Sequence, residues 1–288
     1  MKSEYRAAAG RHRSRMPVLL ALAVMTAALG PDALPAQHAA DAEGELADEE
    51  LRAALEGYRA DLAELRRRLD IPGLSVAIAR DGELLWADGL GWADRESKRA
   101  ATAETPYRIA SITKTMTAVV VVGLAHEGRI DLDAPVACVL PDGILRSRTV
   151  GGNGVVSTAP DLARWADALG GGELVPADVR DDLWSPVVTP AGDTLPYGLG
   201  WWVEETPALR LVSHGGQWPS YSGLLLHLPG PDLTLAILAN SQSVSRPFYK
   251  MGTGTSLYST FAAAFLRRFA LRDLWEGEPP ELPRDASV

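Results

Sequence analysis

Ser111-Ile-Thr-Lys114 sets a hydroxyl and an amine three residues apart, where an extended segment (Thr105 to Ile109) meets an apolar run. On a helix, residues i and i+3 share a face, so the amine lies beside the hydroxyl. A serine at a helix N-terminus also stands among unpaired backbone N–H groups, which favour a developing anion. With 17 serines and 4 lysines, chance alone yields this spacing in roughly one chain of this length in four. The choice of lysine is more informative, because the chain carries 24 arginines and only 4 lysines. A guanidinium keeps its proton, whereas an amine desolvated beside an apolar helix gives it up. Lowering a lysine from about 10.4 to about 7–8 asks for roughly 3–5 kcal/mol of differential desolvation. The chemistry on offer is attack by Ser111 with Lys114 as its base.

A second segment, Ser213-His-Gly-Gly-Gln-Trp218, is expected at the end of a strand. Gly215 and Gly216 would leave the backbone bare for a substrate, and His214 would donate to it or tune its protons. An ordinary glycine turn beside a half-buried histidine is the competing reading. His126, His214 and His227 show no metal-ligand spacing and there is no His-x-x-x-His, so no metal and no cofactor are expected. Asp131 and Asp133 are expected to cap a turn after a helix. Trp201, Trp202 and Trp218 lie near the His-Gly-Gly strand and read as core rather than cleft. Gly151-Gly-Asn-Gly154 leads into Val-Val, not into a helix, so it is a poor phosphate cradle.

The elements that must position these groups follow from periodicity. Leu46, Leu51, Leu55, Tyr58, Leu62, Leu65 and Leu69 recur at three- and four-residue steps, predicting a helix over 45–69 that Pro72-Gly73 ends. Leu74 to Ala79 and Glu83 to Ala87 read as strands joined by Asp81-Gly82. Ile112 to Glu127 is apolar on nearly all sides, which predicts a helix buried all round. Thr158-Ala-Pro-Asp161 is a capping box opening a helix that reaches Leu169 and stops at three glycines. Strand-like runs follow at Gly198 to Val203, Leu209 to Ser213, Ser222 to Leu228 and Leu233 to Leu238, then a helix around Ser256 to Ala270. The expected fold is α+β: an antiparallel sheet flanked by the first and last helices, with the active-site helix on its other face.

The chain has 288 residues, 47% apolar and 23% charged, enough for a full core in one domain. Net charge is −9; residues 1–36 contribute +3, leaving −12 on the remainder, which disfavours nucleic acid as a partner. Five basic residues, an apolar run from Met16 to Leu29 and Leu34-Pro35-Ala36 have the form of a secretory signal peptide. A run of that length is short for a membrane span. The expectation is a signal over 1–36 and a secreted or periplasmic domain over 37–288. The single cysteine, Cys138, excludes an internal disulfide and reads as a small buried hydrophobe.

Several segments together resemble a known family. Tyr107-Arg-Ile-Ala-Ser-Ile-Thr-Lys-Thr-Met-Thr-Ala118 and Glu127-Gly-Arg-Ile-Asp-Leu-Asp-Ala-Pro135 are similar to the active-site region of class C β-lactamases and penicillin-binding-protein-like serine hydrolases. Gly154-Val-Val-Ser-Thr-Ala-Pro-Asp-Leu-Ala-Arg-Trp165, Tyr197-Gly-Leu-Gly-Trp201 and Ser213-His-Gly-Gly216 resemble later segments, in the right order. The resemblance covers most of residues 71–240. It implies that Ser111 is acylated, that Lys114 is its proton partner, and that His214-Gly215-Gly216 is the strand motif. It further implies an oxyanion hole made by the N–H groups of Ser111 and Gln217.

The family's Tyr-x-Asn or Ser-x-Asn motif is absent from the whole chain. It belongs on a helical subdomain between Pro135 and Gly154, and the stretch 134–153 leaves little room for one. Three readings follow: a reduced serine hydrolase for small esters, amides or β-lactams; a non-catalytic exported module binding peptidoglycan-like ligands; or an internally deleted gene product. Leu132, Val136, Val139, Leu140, Ile144 and Leu145 would patch the core where the subdomain is reduced. A truncated apolar face would also suit an oligomeric partner.

Overall fold

The computed structural model describes residues 36–135, 138, 151–245 and 259–271. The expected signal segment and most of the shortened link lie outside the described residues. The chain divides into Met1–Glu50, of which residues 36–50 are helical, and Leu51–Val288, which carries the fold. No helix among the described residues is long and apolar enough to cross a membrane.

Helix α1 (Ala36–Arg68) is followed by strands β1 (Gly73–Arg80), β2 (Glu83–Asp94) and β3 (Arg99–Ala100). Asp81 and Gly82 both take positive φ, 51° and 84°, which the tight hairpin between β1 and β2 requires. The short strand β4 (Tyr107–Arg108) leads through a 3-10 turn, Ala110–Ile112, into α2 (Thr113–His126). After β5 (Val156–Ser157) come α3 (Ala159–Gly170) and α4 (Ala177–Leu183). Four strands close the sheet, β6 (Trp202–Glu205), β7 (Arg210–Trp218), β8 (Tyr221–Leu228) and β9 (Leu233–Ala239), before α5 (Thr260–Phe269). The spatial order β3-β2-β1-β9-β8-β7-β6 is antiparallel throughout, with β4 and β5 paired separately.

Alternation along the strands divides the core into two layers. Leu74, Val76, Ile78, Leu224, Leu226, Leu235 and Ile237 face α1 and α5, where Tyr58, Leu62, Phe261 and Phe265 fill the space. The opposite face sets Ala77, Ala79 and Ala236 on β1 and β9 beside the larger Val212, Leu225 and Leu238, packed with Ile109, Ile112, Leu162 and Trp201. Small side chains on that face let α3 and the 3-10 turn approach the sheet closely. Thr158 caps α3 by accepting from the Asp161 N–H at 3.2 Å, as its capping-box spelling predicts.

Three expectations are corrected. Helix α2 is not buried all round: Thr113, Thr115 and Val122 are buried, but Val120 is 61% exposed. Its apolar surface exceeds what its neighbours among the described residues cover, so composition overstated its burial. Cys138 is exposed, because it sits in a turn closed by its N–H on the Pro135 carbonyl rather than on a packed element. Leu132 is likewise exposed at 53% and patches no core. The other expectations for the 134–153 link fall mostly outside the described residues. Asp131 does cap its turn, accepting from the Asp133 N–H at 3.0 Å.

Candidate active site

Ser111 stands in the 3-10 turn that begins α2, and two features fix it there. Pairing of β4 with β5, extended by the Ile109 N–H to the Val155 carbonyl, delivers the chain to the turn. Ala110 then takes φ 48°, a left-handed conformation that costs a non-glycine residue about 1 kcal/mol or more. Such strain immediately before a candidate nucleophile suits a side chain that must be held in one direction.

Lys114, one turn on, donates from Nζ to Ser111 Oγ at 2.6 Å. The i, i+3 argument from sequence therefore holds in three dimensions. Desolvation lowers the Lys114 pKa, although the residue as a whole remains exposed. The reason differs from the one expected: partial cover of the amine, rather than burial of the entire helix, supplies the shift. Gly200, at φ 86°, brings the Tyr197–Trp201 loop against this turn; a Cβ there would lie 3.0 Å from the Lys114 carbonyl oxygen.

His214 and Gly215-Gly216 lie inside β7, which runs on to Trp218. Gly216 faces the Ile109 carbonyl so closely that a Cβ would overlap it, and Ile112 packs beside it. The bare backbone of Gly216 is thus used by the turn that carries Ser111, not kept open for a substrate. This contact is what seats Ser111 against β7. Strand β6 pairs with Arg210 to Ser213 and stops short of His214 to Gln217. Gln217 is partly exposed there.

His214 itself is only 4% exposed, and both ring nitrogens are engaged. Nδ1 lies 2.6 Å from the Gly215 carbonyl, which only accepts, so Nδ1 carries the proton. Nε2 of the neutral ring is then the acceptor, and the Tyr197 hydroxyl donates to it at 3.2 Å. Burial first, and then the charge of Lys114, push the His214 pKa down to about 4, against a partial rise from the Gly215 bond. The ring is neutral near pH 7. Direct donation to a substrate, expected from sequence, is corrected: neither nitrogen is free to make it.

Tyr197 is the residue that residue-level reasoning missed. It lies only half-buried, is packed edge-on against Trp202 at 4.7 Å, and has its pKa raised by desolvation. Its Tyr-Gly-Leu-Gly-Trp segment signalled family membership, but nothing in the spacing tied it to a histidine 17 residues away. Of the tryptophans, Trp201 is fully buried, stacking on Trp165 at 6.0 Å, while Trp218 is 40% exposed. The core reading holds for Trp201 alone.

A serine bonded to a lysine in the turn that opens a helix, with that turn seated on an antiparallel sheet, defines a serine-hydrolase type of site. The Beta-lactamase family model matches residues 58–150 and 140–252, more than half of the chain, and the chain belongs to that family. The two matches overlap at residues 140–150, and no Tyr-x-Asn occurs in the sequence.

Among relatives, the serine beta-lactamase-like protein LACTB, mitochondrial, of Homo sapiens is 38% identical over 89 residues, 31% of this chain and 16% of that protein. Esterase EstB of Burkholderia gladioli is 34% identical over 124 residues, 39% of this chain and 31% of that one. The matched stretches thus span well under half of these relatives' lengths. Solved structures extend the likeness of fold. The octameric penicillin-binding protein homologue from Pyrococcus abyssi superposes with TM-score 0.59 at 16% identity, covering 74% of this chain and 77% of that one. D-amino acid amidase from Ochrobactrum anthropi SV3 complexed with D-phenylalanine also gives 0.59 at 16%, covering 75% and 99%.

Proposed function

We propose that the protein is a serine hydrolase that acylates Ser111 with a small ester or amide and releases the acyl group to water. The observation that carries this reading is the 2.6 Å bond between Lys114 Nζ and Ser111 Oγ. In the resting state the amine donates. Once deprotonated, which its lowered pKa favours, it accepts the Ser111 proton as Oγ attacks the acyl carbon. The carbonyl oxygen gains the negative charge and is held by the backbone N–H groups of Ser111 and Gln217. Lys114 passes the proton to the departing alcohol or amine, then takes one from the water that attacks the acyl-enzyme. Lys114 then returns that proton to Ser111 Oγ as the acyl–oxygen bond breaks, which frees the acid product and restores serine and lysine.

In this reading His214 is a positioning residue. Its neutral ring, held by Gly215 and Tyr197, adds no second cation beside Lys114, and the Tyr197 hydroxyl is the polar end it presents toward the cleft. The chain then hydrolyses with no Tyr-x-Asn motif, at reduced rate. Loss of one acid–base group typically costs about 10²–10⁴, which still leaves measurable turnover. We further propose that the mature domain works outside the cytoplasm, after removal of residues 1–36. The second reading, an exported module that binds peptidoglycan-like ligands without turnover, is favoured by the missing Tyr-x-Asn motif alone.

The test is hydrolysis of short-chain p-nitrophenyl esters and D-amino-acid anilides by the full chain. Turnover abolished in Ser111→Ala and in Lys114→Met supports the reading. No turnover and no acylation by a folded wild-type chain would leave the binding module.

A further inference from the structure

A second polar cluster lies away from Ser111. Its histidine, His227, is four residues beyond Gly223 on β8, about 13 Å along the strand from where that strand meets the active-site turn. His227 is 1% exposed and packs between Trp184, at 5.3 Å between ring centres, and Gly170, the last residue of α3. A Cβ on Gly170 would overlap the His227 ring near Nε2, so the helix ends in glycine where the imidazole needs room. Asp167 comes from α3 and Asp232 from the turn between β8 and β9.

The hydrogen bonds define the protonation. Asp167 accepts from the Gly82 N–H at 2.7 Å and from the Thr234 hydroxyl at 3.0 Å. The Thr234 proton is thereby used, so Thr234 Oγ1 accepts from His227 Nδ1–H at 2.9 Å. That leaves the Nε2 lone pair of a neutral imidazole pointing at Asp232 Oδ1, 3.8 Å away. Neither atom has a hydrogen-bond partner, and both are buried. Two lone-pair bearers face each other across a gap too long for a hydrogen bond. One ligand atom from each of Asp167, His227 and Asp232 lies within 4.8 Å of the others.

We propose that Asp167, His227 and Asp232 bind one divalent transition cation of the zinc class. A neutral imidazole nitrogen with two carboxylate oxygens is a mixed N/O donor set suited to such ions. Tetrahedral zinc holds its ligands about 3.4 Å apart, so small side-chain rotations close the observed separations around an ion. His227 already has the outer-shell bond that ligating histidines need: Thr234 fixes its tautomer, and Asp167 fixes Thr234. The surrounding charge agrees. Asp81 and Glu173 add to the negative field at Asp167, against the guanidinium of Arg180, which donates to the Gly170 carbonyl at 2.6 Å. Local sequence spacing gave no sign of this site because its residues come from three separate elements.

The experiment uses the tag-free full chain, stripped with a chelator and titrated with zinc chloride at pH 7.5 while bound metal is counted by native mass spectrometry. One equivalent bound by wild type, a raised Tm, and affinity reduced at least about tenfold in both Asp232→Asn and His227→Gln are expected. Asp232 is only half-buried, at φ 46° in the turn between β8 and β9, a conformation asparagine also adopts, so its variant keeps the test valid where His227→Gln fails to fold. His126→Ala is the control, since His126 bonds Asp182 at 2.8 Å and lies 3.6 Å from Asp178, a histidine–carboxylate cluster outside the proposed site. No uptake by wild type would overturn the proposal and leave a water bridging His227 and Asp232. Uptake unchanged in Asp232→Asn, or lost in His126→Ala, would overturn it equally.

Discussion

Two histidines on adjacent strands of one sheet, His214 on β7 and His227 on β8, are both buried and both pushed down to about pKa 4, yet they end in opposite states. His214 has a partner on each nitrogen, the Gly215 carbonyl and the Tyr197 hydroxyl. His227 has Thr234 on one nitrogen and nothing within hydrogen-bond reach on the other. A low pKa therefore reports burial in both cases and function in neither. What separates them is satisfaction of the second nitrogen: complete at His214, where the ring becomes a fixed prop, and open at His227.

The comparison is sharpened first at the Ser111 side. Lys114→Arg should abolish hydrolysis as fully as Lys114→Met, a fall of about 10²–10⁴ in kcat/KM, because a guanidinium keeps its charge but cannot accept the serine proton. Steady-state kinetics on an activated ester measure this, and activity retained in the arginine variant would mean that only positive charge is needed. Next in size is Gly216→Ala, whose methyl would collide with the Ile109 carbonyl. Overpacking of this kind costs about 1–3 kcal/mol, read as a lower midpoint in urea, and should displace Ser111 enough to depress turnover as well.

Tyr197→Phe removes the hydroxyl and leaves His214 Nε2 buried without a donor, so a stability loss of about 1–3 kcal/mol is expected. The same loss in kcat with KM unchanged would mark Tyr197 as acting on the transition state. For pH, the folded His214 pKa of about 4 lies below the unfolded value near 6.5. Between those values the unfolded chain binds more protons, so stability rises with pH across that window and falls as acid is added. His227 is lowered to about 4 as well, so His214→Gln should remove about half of this slope, as denaturant midpoints from pH 4 to 7 would reveal. An identical slope in the variant would place the titration elsewhere. The smallest effect belongs far from both histidines: Thr158→Ala should cost about 1 kcal/mol by leaving the Asp161 N–H uncapped, with catalysis unchanged.

Much of the fold was legible because its signals are local. The Asp81-Gly82 hairpin, the Thr158 cap and the strand runs from Leu209 to Leu238 each depend on residues within a few positions of one another. The Ser111–Lys114 pair was readable for the same reason, since three residues of helix determine their contact. Legibility failed where contacts are long-range. The bond from Tyr197 to His214, the packing of Gly216 on Ile109, and the meeting of Asp167, His227 and Asp232 are products of the finished sheet. Composition misled in α2 and at Cys138 because apolar residue type states what a side chain prefers, not what its neighbours provide.

The central claim is that Ser111 is armed by Lys114 alone. Intact mass of the purified, folded chain after incubation with a fluorophosphonate, beside Ser111→Ala, tests it most directly. The account predicts one adduct on wild type and none on Ser111→Ala. A folded wild-type chain that stays unmodified, or an adduct that persists in Ser111→Ala, would contradict it.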